Sequence, residues 1–198
     1  TPKLVKCRLY FNDIVKDWLE NIVIKIKKSS YYCYFNKIEN HILPYFKNKL
    51  YSNVNLDIIN EFIKEKFRQQ LSSKYISDMV VLIKSIAKWA NNIYGYENKL
   101  ANVQLPKLIK KEPLLLNSDE QAKLIKYLSE HKSNTSLGVI LSLFTGIRIG
   151  ELCALKWEDI DFENKIMTIN KSVQRIKDTS FSDKKKTVVV KHFCNINV

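Results

Sequence analysis

The sequence has little of what marks a secreted, metal-binding or membrane-spanning protein. It contains four cysteines and three histidines, and the cysteines lack the paired spacing of a disulfide framework or a zinc site. The longest apolar stretch, residues 137–144, is well short of the ~20 residues that cross a bilayer. No internal repeat or low-complexity tract is present. We therefore expect a cytoplasmic protein that uses no metal, cofactor or small-molecule substrate and does not enter a membrane.

Positive charge is abundant and unevenly distributed. The 198 residues include 33 Lys and Arg against 20 Asp and Glu, a net charge of +13, which favours a polyanionic partner and nucleic acid first. Up to Lys111 there are twenty basic and nine acidic residues, a net +11, whereas from Glu112 onward thirteen and eleven give +2. We expect the first part to make most of the phosphate contacts. The alternative, ordinary solvated helix faces, stays open.

Hydrophobic periodicity predicts a helical first domain over residues 1–105. Apolar residues recur at helical spacing in four segments, residues 10–24, 31–43, 55–70 and 72–94. The polar cluster 27–30 is expected to cap the second helix, and Pro44 to end it. Gly95 is expected to end the fourth.

A linker over residues 106–117 separates this domain from a second one over residues 118–198. The linker contains Pro106 and Pro113, and Asn117 begins a helix-start pattern. Helices are predicted over 136–145 and after Gly146, and strands over 165–170 and 187–191. The predicted fold is mainly α, a helical domain followed by a partial α+β domain with a short β-hairpin.

The most specific motif is residues 144–152, FTGIRIGEL, which continues into 154–161, ALKWEDID. A Thr-Gly turn between apolar helices places Arg148 beside exposed backbone N–H groups, an arrangement that suits a phosphate. Glu151 lies on the same helical face and can hold the guanidinium. On spacing alone, the favoured alternative is that Arg148 and Glu151 form an ordinary surface ion pair, which adds under about 1 kcal/mol to stability.

The full motif, residues 144–161, favours the phosphate-binding interpretation over the surface pair, because it resembles the tyrosine recombinase (phage integrase) family. That family carries a Thr-Gly-x-Arg-x-x-Glu-Leu segment followed by Leu-x-Trp-x-Asp-Ile-Asp. The upstream helices are similar to the family's SAM-like core-binding domain, through residues 30–32 (SYY) and 41–44 (HILP). The resemblance implies DNA strand cleavage and rejoining through a phosphotyrosyl intermediate, without metal or nucleotide.

The resemblance assigns Arg148 as the first catalytic arginine and Glu151 as its supporting acid. For the family's hairpin lysine, Lys171 is the candidate, although an insertion shifts the position toward Lys191 or beyond. All ten tyrosines precede Arg148, and the residues after His192 break the His-x-x-Arg pattern, so neither the nucleophile nor the second arginine is in this sequence. We expect a truncated catalytic domain.

The resemblance also implies that basic and tyrosine side chains of the first domain and the linker contact double-stranded DNA. The candidates are Lys27, Lys28, Ser30, Tyr31, Lys74, Tyr75, Lys84, Lys88, Lys107, Lys110 and Lys111. Other aromatic residues are expected in the core, namely Tyr32, Tyr34, Phe35, Trp89 and Trp157. His41 is expected to make a structural contact.

Two functions follow from this reading. The chain is either the first portion of a mobile-element integrase, active only with its C-terminal half, or a DNA-binding module that no longer cleaves. Self-association on DNA is left open. An unrelated helical regulator is disfavoured, because no short helix-turn-helix is recognisable.

Overall fold

The computed structural model describes residues 8–108, 112–177 and 187–196, with side chains described up to residue 175. Tertiary contacts divide the chain into two units, Thr1–Lys111 and Glu112–Val198. The mainly helical architecture with short antiparallel strand pairs is confirmed. None of the helices in the described part combines the length and apolar character needed to cross a bilayer.

Over its described residues, 8–108, the first unit contains five α-helices. They are α1 (Phe11–Ile22), α2 (Lys28–Lys37), α3 (Leu43–Phe46), α4 (Leu56–Arg68) and α5 (Ser73–Tyr94), with a π-helical turn at Ile38–Ile42 and a 3-10 turn at Tyr51–Asn53. Side-chain caps set two of the starts: Asn55 accepts from the Ile58 N–H at 3.1 Å, and Ser72 from the Tyr75 N–H at 3.2 Å. Gly95, with φ +68°, ends α5 as expected.

An aromatic centre joins α1, α3 and α4 in one core. The Phe11 and Phe46 rings stack with centroids 4.6 Å apart, and Phe62 lies 5.5 Å from Phe46. All three side chains are fully buried. The Tyr51 hydroxyl donates to the Ala87 carbonyl oxygen at 3.4 Å, so the polar end of a buried ring is satisfied. Packing of amphipathic faces therefore stabilises the unit.

The prediction for the second helix is wrong at both ends. The helix begins at Lys28, and its N-cap is Lys27, which makes no side-chain capping hydrogen bond. Pro44 does not end the helical path, which continues through the π-helical turn to Phe46. The Leu43 N–H bonds back to the Ile38 carbonyl oxygen across this wider turn. Pro44 then lies in the first turn of α3, where no N–H donor is needed.

In the part that the structure describes, residues 112–177 and 187–196, the second unit combines three α-helices with two antiparallel strand pairs. Its elements are α6 (Ser118–Glu130), α7 (Asn134–Thr145), α8 (Ile149–Leu152), a 3-10 turn at Trp157–Asp159, β1 (Ile160–Asp161), β2 (Ile166–Met167), β3 (Ile169–Lys177) and β4 (Thr187–Ile196). Strand β1 pairs with β2 and β3 with β4. Asn117 and Glu120 form the capping box that begins α6. Lys165 has φ +58° and belongs to the preceding turn, and Thr168 separates β2 from β3, so the strand predicted over 165–170 is divided between two strands.

Candidate functional site

The turn between α7 and α8 fixes where the candidate arginine lies. Gly146 ends α7 in the left-handed conformation, with φ +68° and its N–H bonded to the Ser142 carbonyl oxygen at 2.9 Å. The Thr145 hydroxyl donates to the Leu141 carbonyl oxygen at 2.6 Å and accepts from the Ile147 N–H at 3.3 Å. Both residues of the Thr-Gly pair therefore shape the turn that leads into α8.

Arg148 and Glu151 are in contact, and their exposures are opposite. The Glu151 carboxylate accepts from the Arg148 backbone N–H at 3.0 Å and from its guanidinium at 3.2 Å. The Arg148 side chain is 79% exposed, whereas that of Glu151 is 9% exposed. The buried carboxylate therefore closes the N-terminus of α8 and anchors a guanidinium that keeps most of its donors in solvent. Of the backbone N–H groups at this helix start, that of Arg148 is therefore already bonded to Glu151.

A close helix-to-strand approach brings β3 against α8. A Cβ on Gly150 would lie 2.7 Å from the Ser172 hydroxyl oxygen and 3.0 Å from the Val173 carbonyl oxygen. No side chain larger than hydrogen fits there without a shift. Lys171, the residue before this contact, therefore lies on the part of β3 nearest α8.

Lys171 is paired with a carboxylate that the sequence did not single out. Its ammonium lies 3.2 Å from Asp159, whose side chain is 9% exposed. Asp159 also accepts from the Lys156 backbone N–H at 3.0 Å. This N–H, and after it the Lys171 ammonium, lower the pKa of the Asp159 carboxyl below its usual value. The pair ties the turn before β1 to β3.

Glu151 and Lys171 line one shallow pocket, which has no enclosed space for even a water molecule. Its other lining residues are Ala154, Leu155, Asp159, Thr168, Ile169 and Asn170. The structure thus brings two of the three candidate catalytic residues to one pocket, and the third, Arg148, adjoins it through Glu151. Within the described residues no group of three His, Cys, Asp or Glu side chains is placed to hold a metal ion.

The DNA-contact candidates on α2 lie at its N-terminal end. Lys27 and Lys28 are exposed, whereas Ser30 and Tyr31 are half-buried. The Tyr31 ring stacks with Phe35 at a centroid distance of 6.1 Å, so part of this side chain packs within the unit. The two lysines are therefore the accessible part of this group.

The DNA-contact candidates on α5 and after it differ in exposure and in whether their ammonium groups already have a partner within the protein. Lys88 and Lys107 are exposed. Lys84 is half-buried and donates to the Val103 carbonyl oxygen at 3.1 Å, so its ammonium already has a partner within the protein. Lys74 is 72% exposed at its side chain and pairs with Asp78. Lys110 and Lys111 lie outside the described residues.

Tyr75 is half-buried at the centre of a group that sequence reasoning only partly identified. The Lys37 ammonium lies over its ring, 5.4 Å from the centroid, and His41 meets the ring edge-on at the same distance. His41 therefore makes the structural contact that we expected. Burial, and then the charge of Lys66, lower the pKa of His41. Lys37 was missed because nothing in its local sequence distinguishes it from other lysines.

The expected core aromatics divide into two groups. Tyr32, Tyr34, Phe35 and Trp89 are half-buried, and the last three pack against the core of the first unit. Trp157, expected to pack, is 73% exposed and stacks on the equally accessible Phe162 at 6.5 Å. It precedes a short strand pair that offers no cover.

Known protein families match the sequence in both units. The sequence matches the "Phage integrase, N-terminal SAM-like domain" over residues 10–67 and the "Phage integrase family" over residues 115–194. A XerC-like tyrosine recombinase of Caldanaerobacter subterraneus is 27% identical, covering 83% of this chain and 44% of the relative. The tyrosine recombinase XerA of Pyrococcus furiosus is 30% identical, covering 65% and 43%. The chain spans about half the length of the curated relatives it matches.

Solved structures show the same fold. A lambda integrase dimer bound to a COC′ core site has a TM-score of 0.69 at 16% identity, covering 92% of this chain and 48% of that one. The Tn1549 transposon integrase in complex with a circular intermediate DNA has a TM-score of 0.70 at 16% identity, covering 92% and 58%. The chain belongs to the phage integrase (tyrosine recombinase) family, with a SAM-like core-binding domain followed by the catalytic-domain region.

Proposed function

We propose that this chain binds double-stranded DNA through its first unit and presents a partial phosphodiester-handling site in its second. The chain acts as part of a mobile-element integrase in a bacterial-type cytoplasm. The observation that carries the proposal is the exposed Arg148 guanidinium held by a buried Glu151 beside a pocket that Lys171 also lines. A fixed cation at that place stabilises charge that develops on a phosphate during cleavage and rejoining.

The roles divide among the three residues. Arg148 contacts the scissile phosphate, and Glu151 positions it. Lys171 is the candidate hairpin lysine, held at the pocket by Asp159. The boundaries that we propose are residues 1–105 for the core-binding domain, 106–117 for the linker and 118–198 for the catalytic part.

The 198-residue chain taken alone binds DNA without cutting it, because every tyrosine precedes Arg148 and none matches the family's nucleophile. The second candidate function, strand cleavage, requires a nucleophile and a second arginine from elsewhere. The intact Arg148–Glu151 geometry favours this second function when those groups are supplied. Dimers and tetramers of lambda integrase on DNA support self-association on DNA as part of the proposal.

A salt titration of duplex binding tests the DNA-binding function. If the candidate lysines neutralise about five to eight phosphates, log K falls against log salt with a slope between about −4.5 and −7. A flat titration contradicts the proposal. Covalent trapping on a nicked duplex tests the absence of cleavage, and any protein–DNA adduct formed by this polypeptide alone contradicts it.

A further inference from the structure

A carboxylate lies beside two of the predicted DNA contacts of the first unit, Lys74 and Tyr75. Asp78, on α5, is 2.8 Å from the ammonium of Lys74 on the same helix and 3.6 Å from that of Lys37 on α2. The three side chains are 35%, 72% and 17% exposed. One carboxylate therefore pairs with two lysines that come from different helices, and the group of three keeps a net positive charge.

The side chains near this carboxylate also include an aromatic ring and a histidine. Tyr75 lies between the helices, with the Lys37 ammonium over one side of its ring and His41 at its edge. Lys74 and Tyr75 are both candidate DNA contacts. We call Lys37, His41, Lys74, Tyr75 and Asp78 the α2–α5 cluster.

Helix stability explains only part of the arrangement. An i,i+4 pair such as Lys74–Asp78 adds about 0.3–0.5 kcal/mol to a helix, but this leaves the contact with Lys37 unexplained. A carboxylate on a DNA-facing surface also repels phosphates unless lysines compensate it. A carboxylate oxygen accepts from an ammonium in the same way as a phosphate oxygen does.

We propose that Asp78 is an internal substitute for a DNA phosphate: it holds Lys37 and Lys74 in the free protein and releases them to a backbone phosphodiester on binding. Asp78 thereby lowers the affinity of the first unit for DNA of any sequence. The inference rests on the proposed DNA-binding function and adds Lys37 to the contact residues.

The test compares Asp78→Asn with Glu61→Gln. Glu61 on α4 is a matched control, because it also pairs with a lysine of its own helix, Lys64, at 2.8 Å, and its replacement changes the net charge equally. Binding to a duplex of about 20 base pairs is measured by fluorescence anisotropy at several salt concentrations.

We expect Asp78→Asn to bind about fivefold more tightly than wild type, the size of an exposed ion-pair effect. Glu61→Gln should gain less than about twofold, and the difference should shrink as salt rises. Equal gains in the two variants overturn the inference while leaving DNA binding intact. Failure of the wild-type chain to bind at all refutes the proposed function itself.

A double variant shows whether the gain in DNA affinity depends on Lys74. In a Lys74→Gln background, Asp78→Asn should lose about half of its effect, because one of the two released ammonium groups is no longer present and Lys37 remains. An undiminished gain means that the carboxylate acts only through general repulsion, which overturns the substitute role. Asp78→Ser, with the circular dichroism spectrum of each variant, repeats the test if the asparagine variant does not fold.

Discussion

Replacing Gly150 with alanine tests whether the contact between α8 and β3 shapes the candidate site. The new Cβ would lie 2.7 Å from the Ser172 hydroxyl oxygen and 3.0 Å from the Val173 carbonyl oxygen. The hydroxyl can rotate away, but the carbonyl oxygen is backbone, so β3 or α8 must move. Overpacking of this kind costs about 1–3 kcal/mol, and alanine's higher helix propensity returns at most about 1 kcal/mol. We expect a net loss of about 1–2 kcal/mol in the second unit.

Gly138→Ala is the matched control, because its Cβ would meet the Leu152 side chain at 3.1 Å. A side-chain methyl can give by a few tenths of an ångström, and alanine favours α7, so we expect little net change. Hydrogen–deuterium exchange of the α8 and β3 amides is the assay. Gly150→Ala should lower their protection about 5- to 30-fold, with the first unit unaffected. Equal protection in the two variants would refute the close-approach argument.

Three further predictions concern the anchored arginine and a buried tyrosine. Glu151→Ala should lower the stability of the second unit by about 1–2 kcal/mol, because the α8 cap and a charge-assisted bond are lost; Glu151→Gln, which keeps the N–H acceptor, should lose less in urea denaturation. Arg148→Ala should weaken duplex binding less than about threefold in anisotropy, since the first unit supplies most of the affinity, and loss of nearly all binding would show that the interface is misplaced. Burial, and then nearby Tyr96, raise the pKa of Tyr51 from 10.0 to about 12. The wild-type free energy of unfolding should therefore fall as pH rises through this window, because the unfolded chain ionises first, and Tyr51→Phe should flatten that dependence in denaturation series at alkaline pH.

Much of the fold was predictable because the information is local. Asn55, Ser72 and Asn117 cap the helices that follow them, and Gly95 and Gly146 end helices in the left-handed conformation. The prediction failed at Pro44, where a π-helical turn carried the helical path past the proline. The hydrogen bonds of a π-helical turn join residues five apart, and the 3.6-residue spacing of apolar residues gives no indication of them.

The candidate site divides in a similar way. The motif predicted Arg148 and Glu151, which the structure places in contact, but not their opposite exposures. Asp159 and Lys37 act through partners 12 and 38 residues distant in sequence, Lys171 and Tyr75, so no local pattern indicates them. Trp157 was expected to pack, since sequence gives a residue's apolar character but not whether a neighbour covers it.

The sequence by itself determined the cationic first unit, the helix limits set by caps and glycines, and the turn motif that indicates the family. These depend on charge and on backbone preferences within a few residues. Only the tertiary structure decided which carboxylate faces which ammonium, as at Asp78 with Lys37 and at Asp159 with Lys171. Those pairings depend on how separate elements pack, and packing is a property of the folded chain as a whole.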